Sequence, residues 1–341
     1  MARLADQLPL AVVGERLCTD LTDVTDDPAC LDGAGFWAVV VPYDAPPTFA
    51  RFATIRPARP WRGPRWRGPS ADAWCSSLDQ ERFEDGVRAI RAAIEAGDVY
   101  QVNLTRQLAA PVAGDADVAA LGAALAIGNP APYAAVVRVP EAGLHVASAS
   151  PERYLRREGR LVWSSPIKGT AATPDAFLAK DRAENVMIVD LVRNDLGRVC
   201  DFGSVCVPAL LAVEHHPGLV HLVSTVAGEL SDGVGWPELL AATFPPGSIT
   251  GAPKLAAMDV IRRLEPVPRG VYCGGVGWVD ADRGIGELNV AIRTFWIDPT
   301  ADPGPVLRFG TGGGITHDSD PAGEWAETVL KARTLLAVAS G

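Results

Sequence analysis

No run of 18 or more apolar residues occurs in the 341-residue chain, so no transmembrane helix is expected. The apolar start of the chain is broken by Asp6, Gln7 and Glu15, and a cleaved signal peptide is not expected either. Positive charge is scarce: 31 Lys and Arg face 41 Asp and Glu, a net charge of −10. That balance argues against binding nucleic acid or an acidic membrane through the overall field, but leaves room for a local cationic site that takes a small anion. The six cysteines, at 18, 30, 75, 200, 206 and 273, form no CxxC and no Cys/His zinc spacing. Reduced thiols in a cytoplasmic enzyme are the expectation. Two nucleotide signatures are also lacking. GTGGGI (310–315) has no acidic residue about 20 positions on, as a dinucleotide fingerprint needs, and SITGAPK (248–254) lacks the four-residue spacer of a phosphate-binding loop.

With 48% hydrophobic residues, the chain has ample material for a large core. Residues 57–70, PARPWRGPRWRGPS, have no helix or strand period and read as a connection that packs Trp61 and Trp66 on a neighbour. Beyond Leu78 the pattern sharpens. Phe83, Val87, Ile90 and Ile94 recur at helical spacing, with Asp79 as cap and Gly97 as stop. DVYQVNLTRQL then alternates, with Tyr100, Val102 and Leu104 on one face and Gln101, Asn103 and Thr105 on the other. Residues 133–163 read as a β-meander, 175–195 as a helix and 208–229 as strands. A helix is expected from Pro253, a hairpin around DADRG, a strand running into a glycine loop at 310–315, and a last helix over 321–338. Helices and strands come in blocks, not in strict βαβ order, which favours an α+β fold with mixed or antiparallel sheets.

Several side chains stand out. Asp181 and Glu184, then Glu324 and Glu327, are acids three apart on two helices. Such pairs share a helix face and repel slightly. Facing each other, the four carboxylates need a cation between them, and an all-oxygen site suits Mg²⁺. Glu152 follows a proline at a strand start, where apolar neighbours can raise a carboxyl's pKa and fit it for general-acid work. His221 lies on an apolar strand, where a core role is the plainer reading. Arg293 is placed to hold a carboxylate bidentately, and the amides of Gly312, Gly313 and Gly314 read as a nest for one. Lys168, in SSPIKGTAAT, reads either as a solvated loop lysine or as a group that meets something Gly169 lets approach.

The motifs GDVYQVNLTRQ, NPAPYAA, SASPERYL, PIKGT, DRAENVMIVDLVRNDLGRVC, HLVSTVAGEL, PPGSITGAPK, RGVYCGGVGW, NVAIRT and GGGITHDSDPAGEWAETVLKA follow one another in order. Over residues 79–336 they resemble the chorismate-utilising enzymes, in particular the large synthase subunits of anthranilate and aminodeoxychorismate synthesis. The resemblance implies an anthranilate-synthase-like fold, with two mixed or antiparallel sheets packed as a sandwich and helices outside. Residues 1–77 would be a short N-terminal segment and Pro/Trp-rich linker completing the fold, and 78–341 the chorismate-binding catalytic domain.

It also implies a Mg²⁺-dependent site that removes the 4-hydroxyl of chorismate. Glu184 and Glu327 would bind the metal directly, and Asp181 and Glu324 through water. Isochorismate and salicylate synthases carry a lysine base where this chain has Gln101, so water addition is disfavoured. Aminodeoxychorismate enzymes carry lysine in PIxGT and anthranilate synthases usually alanine; this chain has Lys168. Lys168 would add to carbon 2 while Glu152 protonates the departing hydroxyl. Ammonia would then add at carbon 4 and expel the lysine. Arg293, Tyr272, the 312–314 amides and Lys331 would hold the enolpyruvyl carboxylate, with His221 on the leaving-group side and Thr170, Thr250 and Gly251 against the substrate. No Cys-His-Glu amidotransferase module is visible, so ammonia is expected from a separate glutamine amidotransferase subunit. No lyase module is visible either, so the expected product is 4-amino-4-deoxychorismate. An anthranilate-forming subunit and an inactive chorismate-binding regulatory subunit are the alternatives.

Overall fold

The structure is a computed structural model that describes residues 3–171, 173–177, 179–216 and 219–341. In chain order it begins with β1 (Leu10–Val13), β2 (Arg16–Thr25), β3 (Phe36–Val41), β4 (Thr48–Pro57), β5 (Cys75–Ser76), α1 (Gln80–Glu95), β6 (Gln101–Pro111) and α2 (Val118–Gly128). It continues with β7 (Tyr133–Val139), β8 (Leu144–Ser150), β9 (Arg153–Glu158), β10 (Leu161–Ser165), β11 (Ile167–Ala171), α3 (Ala179–Gly197), β12 (Cys206–His216) and β13 (Leu219–Glu229). It ends with α4 (Trp236–Thr243), β14 (Gly251–Ala252), α5 (Lys254–Leu264), β15 (Gly275–Asp280), β16 (Ile285–Val290), β17 (Thr294–Asp298), β18 (Val306–Ile315) and α6 (Pro321–Ser340).

The α+β class holds. Among the described residues all strand pairs are antiparallel, and the strands join into one hydrogen-bonded network whose two arms diverge from β4. One arm runs through β2, β1, β7, β8, β17, β18 and β6. The other runs through β3, β15, β16, β9, β10 and β13, with β11 and β12 on β13. The two arms pack on each other. Val13, Val137 and Val146 of the first share one core cluster with Val39, Leu155 and Val276 of the second. Strand β3 is buried at every residue, as its unbroken FWAVVV run requires.

Where the chain passes from one arm to the other, regular pairing stops. Two such crossings concern the site: Pro151 and Glu152, between β8 and β9, and residues 291–293, between β16 and β17. The single strand expected through GELNVAIRTFWI therefore breaks, and Arg293 takes φ 52°, a left-handed backbone unusual for a side chain of its size. The crossings are tied together by Val290 N donating to Glu152 O (3.0 Å), Ala149 N donating to Arg293 O (3.0 Å) and Ser150 Oγ donating to Val290 O (2.6 Å).

The helices form where their patterns placed them, with shifted ends. Asp79 caps α1 by accepting from Arg82 N, and Phe83, Val87 and Ile90 are buried. Helix α3 begins at Ala179 because Pro174–Ala176 forms a 3₁₀ turn instead. Pro253 is the cap of α5, not its first residue. Trp66 packs on the end of α6, its indole donating to Ala339 O at 2.7 Å. Trp61 does not pack as expected. It is 37% exposed and bonds within its own proline-held loop, to Pro64 O. Tyr100, expected on the apolar face with Val102 and Leu104, precedes β6 and is 72% exposed. No helix among the described residues is long and apolar enough to cross a membrane.

Candidate active site

Two sequence expectations about local structure are overturned at the site itself. PIKGT is a strand, not a loop: β11 pairs with β13, setting Ile167 opposite Val223 and Thr170 opposite His221. The partner lies some fifty residues downstream, out of reach of a local reading. The glycine loop expected at 310–315 is also strand. Through β18 it runs opposite β6 with Gly312 facing Thr105, Gly313 facing Leu104 and Gly314 facing Asn103. Beyond Phe309 only β6 among the described residues pairs with it, so among those residues no neighbouring strand uses the other backbone edge of these glycines.

The missing side chains of β18 are what let others in. A Cβ on Gly313 would stand 3.2 Å from Glu324 Oε2 and 3.9 Å from both Glu327 Oε1 and Lys331 Nζ. A Cβ on Gly314 would overlap the Gln101 amide, and one on Gly310 the ring of Tyr272. Strand β18 thus carries Gln101, Tyr272 and the acids and lysine of α6 directly against its backbone. At Gly169 (φ 86°) the close neighbour is Asp181, whose Cβ lies 2.9 Å from where a Cβ would sit. The glycine beside Lys168 makes room for α3.

Lys168 is the centre of the charge pattern. Its ammonium lies 3.9 Å from Glu184 Oε2, with a side chain only 12% exposed. Burial drives its pKa down and the Glu184, Glu152 and Glu327 carboxylates pull it back, and the net is a lowered value. Glu152 is buried, and loss of water lifts its carboxyl to about 7. The Ser248 hydroxyl, Lys168 and the Ile167 N–H act against that rise. An acid whose pKa burial raises, beside a lysine whose pKa burial lowers, has the chemistry to serve as proton donor and nucleophile.

One lysine links an acid of each helix. Glu184 and Glu324 come to one ammonium, that of Lys180, at 3.7 and 3.3 Å. Glu324 also accepts from Ser319 Oγ at 2.5 Å. Burial raises Glu184 above the ordinary carboxylate range, Lys168 and Lys180 oppose this, and Asp181 and Glu324 add to it. Glu327 is held by Lys331 at 2.7 Å; burial pushes it up, but the lysines outweigh it and the net is down. As the described side chains stand, no three Asp, Glu, His or Cys groups converge closely enough to hold a metal. The donor set nevertheless fits Mg²⁺: it is all carboxylate oxygen, and one cation already joins an acid of α3 to an acid of α6. Lys180 was not singled out in the sequence. Its i,i+4 spacing to Glu184 was the available signal.

The remaining candidates fall at varied places. Gln101 is fully buried, donates to Asn103 Oδ1 (3.2 Å), and its Oε1 has no hydrogen-bond partner among the described residues. Arg293 is partly buried at the second crossing, with no ion pair among the described residues, and burial lowers its pKa. Lys331 reaches the carbonyl of Gly312 at 3.0 Å. Tyr272 is buried and burial raises its hydroxyl well above the ordinary value. His221 is buried on β13 with its partner strand on either side. Thr250 is buried, but its hydroxyl donates within its own turn, to the carbonyls of Pro246 (3.2 Å) and Gly247 (3.3 Å). Gly251 pairs with Val102 and is pressed against Gln101. The side chain of Thr170 lies outside the described residues.

Residues 62–337 match the family of chorismate binding enzymes. The chain belongs to that family. It is 46% identical over 270 residues to an aminodeoxychorismate synthase of Streptomyces pristinaespiralis, covering 75% of this chain and 36% of that one. Aminodeoxychorismate synthase component 1 of Klebsiella aerogenes is 41% identical over 77% of this chain and 59% of its own. Anthranilate synthase component 1 of Haloarcula marismortui is 40% identical over 76% and 54%. The chain therefore spans between about a third and three fifths of the length of these relatives. Among solved structures, anthranilate synthase component I of Streptococcus pneumoniae aligns with a TM-score of 0.73 at 26% identity, over 89% of this chain and 80% of that one. The menaquinone-specific isochorismate synthase of Escherichia coli aligns at 0.79, over 99% and 90%; at 19% identity it speaks to the fold alone.

Proposed function

We propose that this chain aminates chorismate at carbon 4, giving 4-amino-4-deoxychorismate, with ammonia supplied by a glutamine amidotransferase partner. The observation that carries the reading is Lys168, an enclosed lysine with a lowered pKa beside an acid raised to about 7. Its neutral amine forms a bond to carbon 2 as both ring double bonds shift and the 4-hydroxyl leaves. Glu152 gives that hydroxyl its proton, so it departs as water. Ammonia then bonds to carbon 4, both double bonds return and the Lys168 amine is released from carbon 2. Two allylic displacements keep the new amine on the carbon and face the hydroxyl left.

Gln101 stands where a base would be needed to activate water, and an amide does not take a proton at neutral pH. Its unpartnered Oε1 accepts from ligand N–H or O–H groups instead. Arg293, partly buried and without an ion pair among the described residues, suits a carboxylate in bidentate geometry, with Lys331, Tyr272 and the backbone at residues 312–314 around it. Glu184 and Glu327, with Asp181 and Glu324 outside them, would hold Mg²⁺, which when bound neutralises the ring carboxylate. His221, Thr170, Thr250 and Gly251 border the substrate. Residues 1–77 complete the fold around the catalytic part formed by 78–341.

Anthranilate formation is the second reading, since an anthranilate synthase relative is 40% identical. Product analysis separates the two. With chorismate, Mg²⁺ and ammonium, chromatography and mass should identify 4-amino-4-deoxychorismate. Anthranilate as the product would overturn the proposal, and no turnover would leave a binding subunit.

A further inference from the structure

A small cavity of about 20 Å³ lies beside Glu152, bordered also by Ser164, Pro166, Asp195, Thr243 and Ser248. That is room for about one water. It is also room for a carboxyl to turn into, away from the substrate. The wall that would prevent this carries Ser248. Its hydroxyl is buried and has no hydrogen-bond partner among the described residues, although it lies close enough to Glu152 to favour the ionised acid.

An enclosed hydroxyl without a partner is costly and calls for an explanation. Holding its own loop is not the explanation, because other groups do that. Asn103 Nδ2 donates to Ser248 O (2.8 Å), Arg269 Nη1 to Ile249 O (2.8 Å), and Thr250 Oγ1 to Pro246 O (3.2 Å). The loop is fixed from three sides, and the Ser248 hydroxyl is left without a partner among the described residues, on the lining of the cavity that Glu152 also borders. The charged and titratable groups around Glu152 are Lys168 from β11, Asp195 with Lys254 (2.6 Å) across the cavity, Cys273, and Arg153 and Tyr154 on its own strand.

We propose that Ser248 is the positioning residue of the acid: its hydroxyl donates to the Glu152 carboxyl oxygen that carries no proton, which turns the O–H toward the substrate and closes the cavity to the carboxyl. The inference rests on Glu152 being the acid of the proposed reaction. The asymmetry of a carboxylic acid suits the arrangement, since a donor to one oxygen fixes which oxygen carries the proton.

Infrared difference spectra between wild type and Glu152→Gln isolate the C=O stretch of protonated Glu152 and its titration without any substrate. In Ser248→Ala the band should move to higher frequency. Its midpoint should rise by roughly half to one pH unit, since a donor to the ionised form is lost. The kcat for chorismate should fall about tenfold or more while KM stays within about twofold. Ser248→Cys, which keeps the volume but donates weakly, should move the band the same way, so a poorly folded alanine variant does not decide the matter. An unmoved band and midpoint in either folded variant overturn the proposal. A wild type that does not aminate chorismate overturns the functional reading instead, while the band still reports the contact.

Discussion

Glu152→Gln should make the folded protein more stable at high pH, and by an amount that grows with pH. Burial lifts the carboxyl from 4.5 to about 7. That gap of roughly 2.5 pH units, at about 1.4 kcal/mol each, sets the penalty for ionised Glu152 at about 3 kcal/mol. Because the folded value is the higher one, the native state holds the extra proton between the two values. The stability this provides is complete below about 4.5 and is lost as pH rises through about 7. Glutamine has the same shape and cannot ionise, so it escapes the loss. The variant-minus-wild-type difference in unfolding free energy should therefore rise by about 3 kcal/mol between pH 4.5 and pH 8.5. Urea unfolding without added metal, read by linear extrapolation at each pH, measures it, provided the slopes agree. A difference that stays flat across this range would mean that Glu152 titrates as an ordinary carboxylate, and its role as acid would fall with it.

Lys168→Ala should abolish 4-amino-4-deoxychorismate formation, since an ordinary lysine is already only about 0.04% neutral at pH 7 and alanine offers no amine at all; wild-type rate and product from this variant would return Lys168 to a bystander. Lys168→Arg should do no better, because guanidinium stays protonated, and the same product assay checks it. Glu327→Gln should cut turnover about a hundredfold or more and raise the Mg²⁺ concentration needed, and full activity of this variant in EDTA would sink the metal reading. Arg293→Ala should raise KM for chorismate about 10- to 100-fold, the loss expected for a charge-assisted pair, and steady-state kinetics with an unchanged KM would remove it from the substrate clamp.

What the sequence made legible was local. Helix α1 declared itself through Phe83, Val87 and Ile90 with a capping Asp79, and all four do what the pattern requires. The acids of α3 and α6 were visible as i,i+3 pairs. What it concealed depends on distant partners. PIKGT reads as a loop because Pro166 and Gly169 disfavour regular structure, yet pairing with β13 overrides them. GTGGGI reads as a loop for the same reason, and ten residues of pairing with β6 make it strand. Lys180 reads as a solvated helix lysine, since nothing nearby announces a carboxylate 144 residues later. Ser248 looks like turn punctuation until its buried, unpartnered hydroxyl is seen.

Two of the arm crossings account for the placement of Glu152 and Arg293. A strand embedded in a sheet spends its backbone groups on neighbours and sends alternate side chains to fixed faces. At a crossing the chain has left one set of neighbours and not yet joined the next, so a side chain there is aimed by the geometry of both arms. Glu152 and Arg293 occupy the two crossings, and their carbonyls accept from Val290 and Ala149, each on a strand adjoining the other crossing. A one-residue slip on any of these strands would send the side chains that follow to the opposite face, and the large buried faces of β8, β16 and β17 forbid it. The acid and the guanidinium are thereby held in a fixed relation by the same core that makes the fold stable. The lysines and carboxylates of α3 and α6 hang on helices outside it.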